Sequence, residues 1–170
     1  MKTLIPKVLT CATAFFLIDS LLAAEDAPAG AAEKIAAALP EQPYAKPAKP
    51  RKLLVFSKTN GFRHEEAIPA ANALFADMAQ QNGWGYFQTE NGATFSAENL
   101  ARFDAVVFNN VSGDVFTPDQ RAALRSFIEN GGGFVSFHGS GGDDTGSLGH
   151  RHEFVVGQHV ELFLFFALHV

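Results

Sequence analysis

Leu53-Leu54-Val55-Phe56-Ser57-Lys58-Thr59-Asn60-Gly61-Phe62-Arg63-His64-Glu65 is the stretch that decides how this chain folds. Its first four residues are an unbroken apolar run, the pattern of a parallel strand covered on both faces. The run ends in a polar turn that gathers an amide, a guanidinium, an imidazole and a carboxylate. From Glu65 to Asn82 apolar residues then recur at helical spacing (Ile68, Ala71, Leu74, Phe75, Met78), and Asn82-Gly83 closes the segment. Strand, polar turn and helix in that order form the first half of a βαβ unit.

The rest of the folded region repeats this grammar. Tyr86-Phe87-Gln88-Thr89 reads as a weaker strand and Ala105-Val106-Val107-Phe108 as a second strongly buried one. Thr117-Pro118-Asp119-Gln120 starts a helix, with Thr as N-cap, Pro at the first helical position and Gln three residues past the cap. That helix is expected to bury Ala123, Leu124, Phe127 and Ile128 and to stop at Asn130-Gly131. Phe134-Val135-Ser136-Phe137 is the next strand. Alternating strands and helices imply right-handed crossovers and a mainly parallel sheet with helices on both faces. Such sheets bind ligands beyond the carboxyl ends of their strands, where the strand order reverses.

Three loops therefore matter: the one after Phe56, Asn109-Asn110-Val111-Ser112-Gly113-Asp114 after Phe108, and His138-Gly139-Ser140-Gly141-Gly142-Asp143-Asp144 after Phe137. Asn110, Ser112, Gly113 and Asp143 are residue types that turns use for their own geometry. Arg63, His64 and His138 are not. A histidine that closes an apolar strand and precedes a glycine turn points its imidazole at the crevice rather than the core. His64 and His138 are the candidate catalytic residues, and Asn60, Arg63, Asn110, Ser112 and Asp143 the candidate substrate-binding ones.

Three blocks carry a resemblance: Leu53–Phe56 with Gly61-Phe62-Arg63-His64, Phe103-Asp104-Ala105-Val106-Val107-Phe108 through Gly113-Asp114-Val115, and Gly131-Gly132-Gly133-Phe134-Val135-Ser136-Phe137-His138-Gly139. In order and spacing they resemble the ThuA-like (trehalose-utilisation) family over about residues 51–143. The resemblance implies a flavodoxin-like three-layer α/β fold of the class I glutamine-amidotransferase-like group. Relatives in that group carry a nucleophilic cysteine at the elbow where this family has histidine. It also implies a small carbohydrate ligand and processing of trehalose or oxidised keto-disaccharides by an isomerase or hydrolase type of reaction. Arg63 and His64 would hold or polarise sugar oxygens. His138 would act as acid/base or as a metal ligand, and the sequence leaves both open. No cofactor is expected, and a divalent metal on His64 and His138 lacks a clear third ligand. A carbohydrate-binding module without activity, or an inactive remnant, is the alternative.

Composition narrows the chemistry. The lone cysteine, Cys11, lies in the N-terminal segment, which excludes a Cys–His mechanism in the folded part. Ser140 stands in Gly-Ser-Gly after the histidine, not at the centre of Gly-x-Ser-x-Gly, which argues against a serine nucleophile. With 13 Lys and Arg against 18 Asp and Glu the chain is acidic, unlike nucleic-acid binders.

Residues 1–24 have the layout of a secretory signal: Lys2 and Lys7, an apolar Val8–Leu22, then Leu22-Ala23-Ala24 as cleavage site. The expected location is thus the periplasm or the exterior, with no membrane span left after cleavage. Residues 25–50 read as an Ala/Pro-rich linker in which Ala31–Leu39 forms a short helix. Past Asp144 the resemblance fades and Leu162–Leu168 is wholly apolar, so the domain over 51–170 is expected to be incomplete or altered at its C-terminus.

Overall fold

The computed structural model describes residues 27–42, 48–138 and 140. The expected signal segment, Asp143 and the apolar tail lie outside the described residues.

Four strands form one sheet: β1 (Lys52–Phe56), β2 (Gly85–Thr89), β3 (Ala105–Asn109) and β4 (Gly133–Phe137). Every pairing is parallel and the order is β2-β1-β3-β4. This matches the first four positions of the flavodoxin-type order, in which the chain leaves β1 first to one side and then to the other. Phe56 pairs with Thr89 and with Phe108, so the carboxyl ends of β1, β2 and β3 are level.

The apolar runs are buried on both faces, as their lack of alternation requires: Leu54, Val55, Phe56 and Val106 are all below 1% exposed. On one face Val55, Val107 and Tyr86 pack against Ala71, Phe75, Ala76 and Ala79 of α2 (Ala67–Asn82). On the other, Leu54, Phe56, Val106 and Phe108 meet Leu100 of α3 (Ala97–Leu100) and Leu124 of α4 (Pro118–Glu129). Phe56, Phe95, Phe108 and Phe116 form a ring cluster there, with Phe95 and Phe116 centroids 4.5 Å apart and Phe56 and Phe95 4.7 Å apart.

The capping box at the start of α4 forms as its sequence predicts. Thr117 Oγ1 accepts from the Gln120 backbone N–H at 3.3 Å, and Gln120 Oε1 accepts from the Thr117 N–H at 3.0 Å. Of the four residues expected to be buried by α4, only Leu124 is fully so; Ala123, Phe127 and Ile128 are partly covered. Helix α2 begins at Ala67 rather than Glu65, and Glu66 at the cap position makes no side-chain capping bond. The short helix α1 (Ala31–Ala38) does form, and Ala31 and Ile35 dock on Ala73 of α2. That part of the expected linker is folded against the domain.

Candidate functional site

The crevice is assembled from backbone upward. At the end of β3, Asn109 is fully buried, and its Nδ2 donates to Ile68 O at 3.0 Å and to Asn72 Oδ1 at 2.8 Å. These bonds fix the entry of α2 to the sheet. Ser112 joins the first two loops: its carbonyl accepts from Asn60 N at 2.8 Å, and its hydroxyl donates to Phe62 O at 2.6 Å. Ser140 joins the second loop to the third, accepting from Val111 N at 3.0 Å and donating to Phe137 O at 2.9 Å. A serine hydroxyl held in this way is a staple, not a nucleophile.

The loops so joined bring His64 and His138 together. Their Nε2 atoms are 3.1 Å apart, and the ring centroids 4.7 Å apart with the planes 73° to one another. Residues 74 positions apart in the chain thus form one pair at the carboxyl edge of the sheet, as the strand-end rule predicts. His138 has φ +49, a left-handed conformation that a non-glycine residue adopts at a cost of about 1–3 kcal/mol. The strain lies at the sharp turn after β4.

The other candidates have structural partners. Arg63 is spent on carboxylates: its guanidinium donates to Glu90 at 2.9 Å and to Glu65 at 3.3 Å, and to Thr59 Oγ1 at 3.3 Å. The hydrogen bond to Glu90 raises the Arg63 pKa above its ordinary value. Asn60 donates its side-chain amide to the Asp114 carbonyl at 2.5 Å. Asn110 is buried with φ +54 and donates to Asn109 Oδ1 at 2.6 Å, while its own Oδ1 has no partner among the described residues. Asp143 lies outside the described residues. Asn60, Asn110 and Ser112 hold the crevice in shape, which is the turn chemistry their residue types suggest.

Phe62 was not singled out by sequence reasoning. It is 63% exposed, and its ring meets the edge of His64 at 4.7 Å. Its only sequence signal is the position two residues before the histidine. A cleft of about 220 Å³ is lined by Arg63, Glu65, Ile68, Asn72, Gln88 and Glu90, and a larger one of about 480 Å³ lies beside Lys58, Asp114, Phe116 and Gln120; neither is lined by His64 or His138. The imidazole pair is at an open edge, His64 half-buried and His138 exposed.

The ThuA family, described as trehalose utilisation, matches residues 52–161 of the chain. The protein belongs to this family. The match extends past Asp144, to residue 161. Among solved structures the ThuA chain is similar to a ThuA-like protein from Bacteroides uniformis, 24% identical with a TM-score of 0.46. That likeness covers 65% of this chain and 44% of the other, so the chain spans less than half that protein's length. No curated protein matches it.

Proposed function

We propose that this ThuA chain is exported and acts on a keto-sugar of the trehalose type, with His64 and His138 as a paired acid and base. The observation that carries the reading is the 3.1 Å approach of the two Nε2 atoms. In a neutral pair one Nε2 carries the proton and the other offers a lone pair. The accepting ring can remove the proton from the carbon beside a ketone while the donating ring gives its proton to the carbonyl oxygen. The product is an enediol. Returning a proton to the former carbonyl carbon, with loss of the hydroxyl proton from its neighbour, moves the ketone by one position. Positioned acid–base groups contribute about 10²–10⁴-fold to such steps. The exposed Phe62 ring beside His64 provides an apolar wall for the sugar.

Activity toward a keto-disaccharide such as keto-trehalose tests this. His138→Asn, which keeps a residue type tolerant of the left-handed turn, is expected to lower kcat/KM by about 100-fold or more while the thermal melt stays within about 1 °C. Undiminished turnover in that variant rejects the acid–base role. A sugar-binding module is the second reading, favoured by the openness of the edge where the pair sits; wild-type protein that binds the sugar without converting it would select that reading. Export rests on the Lys2 and Lys7 start, the apolar middle and the Ala23-Ala24 end. Mass spectrometry of the mature protein is expected to find Glu25 first, and an intact Met1 on protein confined to the cytosol would reject export.

A further inference from the structure

We propose that the cleft of about 220 Å³ between α2 and the end of β2 is a second binding site, separate from the histidine pair, for one small uncharged polyol the size of a single sugar ring. The chain itself keeps the two places apart. Arg63 and Glu65 line the cleft, while His64 between them meets His138 at 3.1 Å. The cleft is smaller than the roughly 300 Å³ at which drug-sized sites begin, and its volume is the liquid share of about seven waters. That is room for one ring and not for two. The site needs no ketone on its ligand and does not depend on the reaction assigned to the pair.

Three hydrogen-bonding groups in the cleft are anchored at one end and open at the other. Asn72 is only 4% exposed; its Oδ1 accepts from Asn109 at 2.8 Å, and its Nδ2 reaches no acceptor among the described residues. That donor can be met only from the cleft it lines, and leaving it unmet is costly. Gln88 Oε1 accepts from the Tyr86 hydroxyl at 2.9 Å, and its Nε2 likewise has no acceptor among the described residues. Arg63 uses three of its five N–H groups on Glu65, Thr59 and Glu90. The anchoring bonds fix where the remaining donors stand, so a ligand has little left to order. The carboxylates of Glu65 and Glu90 are the acceptors, both paired with Arg63 and leaving one negative charge in excess. The carboxylates repel an anion and the guanidinium repels a cation. An uncharged molecule whose hydroxyls both donate and accept matches the set, and Pro69 offers an apolar side to its carbon face.

Nuclear magnetic resonance of the full, isotope-labelled chain titrated with D-glucose tests this, with acetate and methylammonium as charged probes. The expected result is a saturable shift of the Asn72 and Gln88 side-chain amide signals with glucose and none with either ion. Gln88→Met removes one donor, and Asn72→Asp keeps the acceptor for Asn109 while losing the other. Each is expected to weaken glucose binding about tenfold, whereas His138→Asn leaves it within about twofold. Keto-sugar turnover is measured separately, so the fate of the pair and that of the cleft are told apart. No saturable amide shift with glucose, a shift with a charged probe instead, or binding lost in His138→Asn and kept in both cleft variants would overturn the proposal.

Discussion

Asp104 shows how one residue serves both fold and stability. Its carboxylate accepts from Lys52 N at 2.9 Å and pairs with Lys49 at 3.0 Å and Arg51 at 3.5 Å. Its carbonyl accepts from Gly133 N at 2.9 Å, so it ties the starts of β1, β3 and β4 together. The Lys49 hydrogen bond, followed by the Lys52 N–H and the nearby positive charges, holds its pKa below the ordinary carboxylate value. A depressed folded-state pKa gives stability that is present above the unfolded value and lost as pH falls through the folded one. Asp104→Asn keeps an acceptor oxygen but no charge. It is expected to cost about 1 kcal/mol at neutral pH, the scale of a partly exposed ion pair, and nothing once the wild-type carboxyl is protonated. Melting curves from neutral pH into the acid range check this; a constant gap at all pH values would contradict it. The histidines were legible because each follows an apolar strand. The fate of Arg63 was not, since Glu90, its closest partner, lies 27 residues away and belongs to another loop.

At the scale of elements, the seam between the first two loops sets the alignment of the site. Gly113 has φ +71, and a Cβ there would lie 2.7 Å from Gly61 N and 2.9 Å from the Asn60 carbonyl carbon. Both contacts are backbone, which cannot swing aside. Gly131 has φ +93, and a Cβ added there would meet nothing within 4 Å, so it isolates backbone strain from collision. Gly131→Ala is expected to cost about 1 kcal/mol, and Gly113→Ala more than about 2 kcal/mol together with displacement of His64. Chemical denaturation of the two variants checks the order; equal losses would show that the loops do not meet as tightly as described. Capped elements were the most readable: Thr117, Pro118 and Gln120 announce α4, and Gly131 its end. Helix α3 went unread because it has only four residues, too few to display a period. Its N-cap does exist, for Ser96 Oγ accepts from Asn99 N at 3.2 Å.

For the whole molecule, the parallel α/β architecture followed from buried strands alternating with helices, and it put His64 and His138 at one edge of the sheet before any contact was known. The order β2-β1-β3-β4 was not written locally. It depends on which strands meet once both faces are covered, a property of packing rather than of any one segment. The same holds for the pairing of His64 with His138, which required Ser112 and Ser140 to join three loops. The central claim is that these two imidazoles work as one unit on a keto-sugar. A double-mutant cycle on kcat/KM for a keto-disaccharide tests it most directly, using His64→Gln, His138→Asn and the combined variant. A single unit predicts that either substitution alone loses nearly as much activity as both, because each remaining ring has lost its partner. Losses that multiply as independent factors, or a single substitution without effect, would contradict the account.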